Sequence, residues 1–237
     1  MGTLSGHTVM ITGASRGLGE ALALVAAREG ASLALCARGG EALEAVAQRC
    51  RALSAEVVAV RADVADAHDV ERFAATALER FGGIDVLVNN AAVIGPTPTP
   101  QLSDAPSSAL EEVFAANVLG PLRLTQAVIG GMLLRDRGLV VNITSDAAFI
   151  GFAGLGLYSA SKAALEALTR SWAAELQGTK VRIINVDPGD MNTVMHFAAD
   201  PEADPDSLLR PDDVAERMLI LLAGSVPAVD RLEAASL

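Results

Sequence analysis

The sequence predicts a doubly wound α/β fold: a parallel sheet between two layers of helices, three layers in a single domain over residues 1–237. Three observations carry this. Short apolar runs alternate with longer Ala- and Leu-rich stretches. The runs are apolar throughout, as in strands covered by helices on both faces. No repeat of fixed period and no linker divides the chain. Repeated strand–helix alternation favours parallel strands joined by right-handed crossovers.

In order, a strand is expected at Thr8–Ile11, a helix over Gly17–Glu29 and a strand at Ser32–Cys36. Helix Glu41–Leu53, strand Val57–Arg61, helix Ala67–Phe81 and strand Val86–Asn89 continue the pattern. A Pro-rich loop leads into one long helix through Leu110–Arg135. Strand Leu139–Thr144, helix Tyr158–Leu176, strand Val181–Val186 and helix Asp212–Leu222 complete it. Ligands of such sheets bind in the loops that follow the strands. Informative residues should therefore cluster after the first, fourth, fifth and sixth strands.

Composition narrows the function. Apolar residues make up 51% of the 237 and charged residues 20%, enough for a large core and unlike a disordered chain. Eighteen basic against 29 acidic residues give a net charge of −11. A nucleic-acid partner needs a basic face, which this balance argues against. Two isolated cysteines, Cys36 and Cys50, imply no disulfide framework. His7, His68 and His196 are scattered, so no metal site is expected. The N-terminus lacks the charged and apolar regions of a signal peptide, and Gly6 stands where a myristoylation motif wants Ser or Thr. No apolar run approaches the ~20 residues of a membrane span. A soluble, cytoplasmic protein without a membrane partner is expected. Sixteen Arg, two Lys and a single Tyr make Lys and Tyr the more informative residues here.

After the first strand comes Thr12-Gly13-Ala14-Ser15-Arg16-Gly17-Leu18-Gly19, and a helix follows. Glycines let the backbone turn tightly and approach a pyrophosphate. The helix N-terminus offers free N–H groups and a positive dipole end. The second strand ends at Cys36-Ala37-Arg38, where an NAD binder usually carries an acid for the ribose 2′-OH. Arg38, with Arg16, instead suits a 2′-phosphate held by charge-assisted hydrogen bonds. NADP(H) is therefore favoured over NAD(H); the alternative is that Arg38 is a solvated loop residue.

Tyr158 and Lys162 form Tyr-Ser-Ala-Ser-Lys at the start of a helix. Positions i and i+4 share a face. The ammonium is expected to lower the phenol's pKa from its usual ~10. Such a phenol exchanges a proton with a carbonyl or alcohol oxygen. Ser145, at the end of the fifth strand, would hydrogen-bond the same substrate oxygen, or serve only as a cap. Asn117 lies inside a long apolar helix, an unusual place for Asn. It would hold a water or a kinked carbonyl beside Lys162, or be an exposed polar residue.

With these motifs in order, the chain resembles a compact short-chain dehydrogenase/reductase with a Rossmann fold, over roughly residues 5 to 195. The resemblance rests on Thr12–Gly19, Asp63-Val64, Asn89-Asn90-Ala91-Ala92, Asn117, Ser145, Tyr158–Lys162 and Pro188–Thr193. It implies cofactor contacts from Gly13, Ser15, Arg16, Gly17, Leu18 and Gly19. It implies that Asp63 and Val64 bind the adenine end, and that Asn89 and Ala91 line the cofactor and steady the sheet. Asn117, Ser145, Tyr158 and Lys162 would form the catalytic tetrad, with Tyr158 and Lys162 also touching the cofactor. Pro188, Gly189, Met191 and Thr193 would bracket the nicotinamide. The reaction implied is hydride transfer between nicotinamide and a carbonyl or alcohol, with Asn117 passing protons on through water.

The chain departs from the family pattern in places. Ala92 replaces a usual Gly, Thr144 a usual Ser, and Asp187 precedes Pro188 where Asn or Ser is common. Ser225–Leu237, with Val226-Pro227-Ala228-Val229, lacks the usual Asp-Gly-Gly segment that accompanies a last strand. A homodimer through the helices of Asn117 and Tyr158 is therefore expected, with a tetramer as the alternative. By the same resemblance Ile94, Ala147, Phe149, Leu155, Met191 and Met195 would wall an apolar substrate pocket. Residues 194–211, acidic at Asp200–Asp206, would form a lid that disfavours anionic substrates, or a plain loop. An NADPH-dependent reductase of a small carbonyl leads. An NAD-linked alcohol dehydrogenase is the alternative within the family, and a non-catalytic nucleotide sensor the alternative outside it.

Overall fold

The computed structural model describes residues 2–224 and 230–237. Its strands are β1 (Thr8–Thr12), β2 (Ser32–Ala37), β3 (Val57–Arg61), β4 (Val86–Asn89), β5 (Gly138–Ile143), β6 (Val181–Asp187) and β7 (Arg231–Glu233). They form one sheet in the order β3-β2-β1-β4-β5-β6-β7, and every pair is parallel. The chain runs outward from β1 to β3, then returns to β4 on the other side of β1. That reversal opens a crevice at the carboxyl ends of β1 and β4, the place where ligands bind in open α/β sheets.

Alternate strand residues point to opposite faces, so the all-apolar strands feed two cores. On one face Val9, Ile11, Leu33, Leu35, Val141 and Ile184 pack with α1 (Gly17–Arg28), α2 (Gly40–Ala52) and α8 (Pro211–Leu222). On the other, Met10, Ala34, Leu87, Val140 and Ile183 pack with α3 (Ala67–Phe81), through Phe73, and with α5 (Gly120–Leu134), through Leu124 and Met132. Helix α6 (Gly156–Glu175) contributes Trp172 to this second face. Asp66 caps α3, its side chain accepting from the Asp69 N–H, and Gly82 ends that helix in the left-handed conformation.

Three expectations change. The long helix is not continuous: α4 (Ser107–Phe114) passes into a π-helical segment, Ala115–Leu119, before α5. Pro121 supplies the reason. An α-helix would need its N–H to reach the Asn117 carbonyl four residues back, and proline has none. The Gly120 N–H instead bonds Ala115, five residues back. Helical residues 107–134 are together long and apolar enough to cross a membrane by length and composition, contrary to the sequence expectation. In this fold they form a core helix pair. The chain end also differs. Arg231–Glu233 adds a short last strand beside β6, with Asn185 opposite Arg231 and Asp187 opposite Glu233. The Val226–Val229 stretch lies outside the described residues.

Candidate active site

A cleft of about 1480 Å³ runs across the carboxyl ends of the strands. This exceeds the ~300–1,000 Å³ of ordinary small-ligand pockets. At one end lies the β1–α1 loop. Gly13 has φ +66°, and a Cβ there would come within 2.9 Å of the Ala91 Cα. The Asn90 side-chain amide donates to the Thr12 carbonyl at 2.8 Å, and the Thr12 hydroxyl accepts from the N–H groups of Asn90 and Ala91 at 3.0 and 2.9 Å. These bonds stitch β4 to β1 where the sheet reverses. Gly19 backs the loop, since a Cβ would meet the Gly13 carbonyl oxygen at 2.4 Å. No side chain caps the N-terminus of α1. Ser15, Arg16, Gly17 and Leu18 line the cleft, joined by Arg38, Asp63, Val64 and Ala91. Arg16 and Arg38 are exposed and, among the described residues, neither side chain has a hydrogen bond or ion pair. Arg49 also lines the cleft, but it is paired with Glu20.

At the other end the polar groups are buried and tied. Tyr158 and Lys162 lie one turn apart near the start of α6, with the Lys162 ammonium 5.4 Å from the phenol ring. Lys162 is 2% exposed and donates to the Ile143 carbonyl at 2.7 Å. Burial pulls the ammonium down to about 8, against the charges of Asp187 and Glu166, which hold its proton on. Burial likewise pushes the Tyr158 phenol above its ordinary range, aided by Asp187 and Asp146. A hydrogen bond with the Ser145 hydroxyl pulls it the other way. The expected lowering by Lys162 does not govern the phenol: desolvation of the phenolate dominates. Ser145 also accepts from the Ala147 N–H at 3.1 Å and donates to Asp146 at 3.0 Å.

Asn117 does not line the cleft; it sits behind it, in the π segment. Its side-chain carbonyl accepts from the Val93 N–H at 2.8 Å. Its amide donates to the Val93 carbonyl at 2.8 Å and to the Ser161 hydroxyl at 2.9 Å. The side chain is therefore committed to clamping the loop after β4 onto α6. Asn89 is also outside the cleft, contrary to its expected contact with a cofactor. It is buried and donates to Asn142, its register partner on β5, at 2.8 Å.

Pro188, Gly189, Met191 and Thr193 line the cleft beyond β6. The Thr193 hydroxyl accepts from the His196 N–H and caps α7 (Val194–Ala199). Of the expected substrate walls, Ile94, Ala147, Leu155, Met191 and Met195 line the cleft. Phe149 does not. It is 63% exposed and lies under the Arg231 guanidinium, 4.6 Å from ring to carbon. Sequence reasoning did not single out Val93, Ser161, Glu166 or Arg231. Glu166, four residues beyond Lys162, was the available signal.

The match to a family model decides what this arrangement is. Residues 7–204 match the model for short chain dehydrogenase. The chain belongs to the short-chain dehydrogenase family. It is 39% identical over 190 residues to the 2-(R)-hydroxypropyl-CoM dehydrogenase of Xanthobacter autotrophicus, covering 80% of this chain and 76% of that one. It is 37% identical over 229 residues to the glycine betaine reductase of Emericella nidulans. There it covers 93% of this chain but spans only 18% of the relative's length. A metagenomic short-chain oxidoreductase solved in complex with NADP superposes with a TM-score of 0.83 at 31% identity, covering 98% of this chain and 97% of that one. This short-chain dehydrogenase is accordingly an NAD(P)-dependent oxidoreductase of small molecules, with the Rossmann-type sheet described above. The glycine cradle, the uncapped helix end and the cleft's size fit a dinucleotide.

Proposed function

We propose that the protein is an NADP(H)-dependent reductase of small, mostly apolar carbonyl compounds, with Tyr158 as the proton donor. The observation that carries this is the placement of Tyr158, Lys162 and Ser145 at the closed end of a cleft whose open end carries two arginines unpaired among the described residues. Gly13, Ser15, Arg16, Gly17 and Leu18 would hold the pyrophosphate, with Gly19 backing the loop. Arg16 and Arg38 would grip the 2′-phosphate. Asp63, Val64 and Ala91 would flank the adenine and its ribose, while Asn89 steadies the sheet from behind. Pro188, Gly189, Met191 and Thr193 would bound the nicotinamide. When bound, that cofactor supplies or accepts the hydride.

The chain's own residues do the rest. Ser145 positions the substrate oxygen, and Tyr158 gives it a proton. A phenol raised by burial remains protonated through the neutral range, the form a donor needs. Lys162, fixed by the Ile143 carbonyl, stabilises the phenolate left behind. Asn117 is a positioning residue, holding Val93 and Ser161 against that pair.

Val93, Ile94, Phe152, Leu155, Met191 and Met195 make the substrate side apolar. Asp146, Asp190 and Asp200 outnumber the Lys162 ammonium on that side, Asp187 being paired with Arg231, which disfavours anionic substrates. Residues 194–211 act as a lid whose ends are pinned together: Asn192 donates to the Leu209 carbonyl and Leu209 to that of Asp190, both at 2.9 Å. The single domain assembles as a homodimer through the α4–α5 and α6 faces, where Leu119, Leu133 and Leu134 are exposed. Its acidic charge suits a cytoplasmic enzyme with no nucleic-acid or membrane partner.

A panel of apolar ketones and aldehydes with NADPH tests the reading, following absorbance at 340 nm. Turnover is expected for some, with a roughly 10²–10⁴-fold loss in Tyr158→Phe while NADPH binding persists. Undiminished turnover in that variant would sink the proposal.

A further inference from the structure

The end of the chain reaches back to the catalytic pair. Arg231, on β7, lies opposite Asn185 in the parallel register, and its side chain extends along β6 to Asp187. One guanidinium nitrogen donates to Asp187 Oδ2 at 2.7 Å, and Nε donates to Glu166 Oε1 at 3.1 Å. The same Glu166 oxygen accepts from the Thr144 hydroxyl at 2.8 Å. Glu166 Oε2 faces Arg170 at 3.7 Å. The other Asp187 oxygen accepts from the Gly189 N–H at 3.0 Å, fixing the turn after β6. Asp187 and Glu166 are buried, 8% and 7% exposed.

Taking two carboxylates and a guanidinium out of water costs several kcal/mol per ion, and such clusters are poor sources of stability by themselves. This one stands directly behind the catalytic pair. The ionised groups that face Tyr158 and Lys162 are Asp187 from β6, Asp146 from the turn after β5 and Glu166 from α6. The π segment contributes only the neutral Asn117 amide. Arg231 bridges two of the three carboxylates. It rests on Phe149, which keeps the guanidinium from swinging outward.

We propose that Arg231 is a positioning residue for the reaction: by bridging Asp187 and Glu166 it sets the negative field under which Tyr158 and Lys162 hold their protons. The last strand of the sheet is thereby wired to the chemistry through Asp187 and Glu166. The Asp before Pro188 and the Arg on β7 are a matched pair. Replacing Arg231 leaves the buried Asp187 carboxylate without its ion pair, whereas replacing Asp187 leaves the half-buried Arg231 still paired with Glu166 and Glu233.

This inference rests on Tyr158 and Lys162 being the catalytic pair, but its test needs neither substrate nor cofactor. The chain has two lysines, Lys162 and the largely exposed Lys180. Protein carrying lysine labelled with ¹³C at Cε gives two resolvable signals, and Lys180 is the internal reference. The pH midpoint of Lys162 is expected to fall by roughly one unit in Asp187→Asn and to rise by about as much in Arg231→Met. Arg231→Lys adds a third lysine signal, identified by its absence from the wild type, and should leave the Lys162 midpoint near the wild-type value; the Asp187→Asn/Arg231→Met double variant should return toward it. A merely structural role would move both single variants the same way. Shifts of one sign in both, or no shift in either, would overturn the proposal. If Arg231→Met does not fold, Asp187→Asn must still fall and Arg231→Lys must still hold. Failure of turnover with every carbonyl tested would count against the proposed reaction and leave this titration standing.

Discussion

The two ends of the cleft are built on opposite principles. At the open end the cleft-lining groups are the N-terminal backbone of α1 and two exposed arginines that are unpaired among the described residues. Little there depends on the rest of the molecule. At the closed end almost every polar atom is buried and already paired: Lys162 with Ile143, Asn117 with Val93 and Ser161, Asp187 with Arg231 and Gly189. The open end would bind a charge that arrives with its ligand. The closed end must hold its own charges in low dielectric, so each needs a partner supplied by the fold. Substitutions at the open end should therefore change affinity and spare stability, and those at the closed end should change both.

The largest effect is expected from Asn117→Ala. It strips partners from the Val93 N–H, the Val93 carbonyl and the Ser161 hydroxyl at once. Val93 is half-buried and the Ser161 hydroxyl keeps its bond to the Tyr158 carbonyl, so at about 1–3 kcal/mol per group left unpaired urea unfolding should show a loss of about 2–3 kcal/mol. A loss below about 1 kcal/mol would break the contrast between the two ends.

Next in size, Arg38→Ala should weaken NADPH roughly 10- to 100-fold, the worth of charge-assisted hydrogen bonds, and leave NADH binding and stability unchanged. Equal weakening of both cofactors in calorimetric titration would show that Arg38 does not read the 2′-phosphate.

The closed end also predicts a pH dependence. The Lys162 ammonium sits at about 8 in the folded protein against 10.5 for the free group. Below pH 8 both states hold the proton, and the buried charge penalises folding in full. Between 8 and 10.5 the unfolded chain holds more protons, so this penalty is relieved as pH rises. Lys162→Met should therefore exceed the wild type in stability most below pH 8. Its advantage should shrink by roughly 1.4 kcal/mol per pH unit above that. Paired denaturant curves at pH 7, 8 and 9 check the slope; an advantage that grows with pH would contradict it.

The smallest effect is at the open end. Arg49 lines the cleft, but its charge is met by Glu20 on an exposed pair. Arg49→Ala should cost no more than about 1 kcal/mol in stability or NADPH binding.

The same division explains what the sequence could show. The sheet was legible because strands buried on both faces are apolar throughout, and the open end because a glycine loop between a strand and a helix is a local pattern. Tyr158 and Lys162 were legible because their juxtaposition is one helical turn. The break at Ala115–Leu119 was missed, although Pro121, four residues after Asn117, carried the signal. Asn89 was placed in the cleft because its motif suggested it; its partner Asn142 is a register neighbour that only the sheet reveals. Arg231 was out of reach for the same reason. It lies 65 residues from Glu166 and 44 from Asp187, and nothing local to it marks a role. The sign of the Tyr158 shift was misjudged because desolvation depends on packing from several elements, whereas the lysine one turn away is visible in the sequence.

The open end should read a 2′-phosphate while the closed end does chemistry. A thermal-unfolding titration with NADPH and NADH side by side tests it most directly. A ligand that binds only the folded state adds about 2.7 kcal/mol at a hundred times its dissociation constant. NADPH is expected to raise the melting temperature at concentrations where NADH does little, and Arg38→Ala to erase the difference. Equal or greater stabilisation by NADH would contradict it and favour an NAD-linked alcohol dehydrogenase.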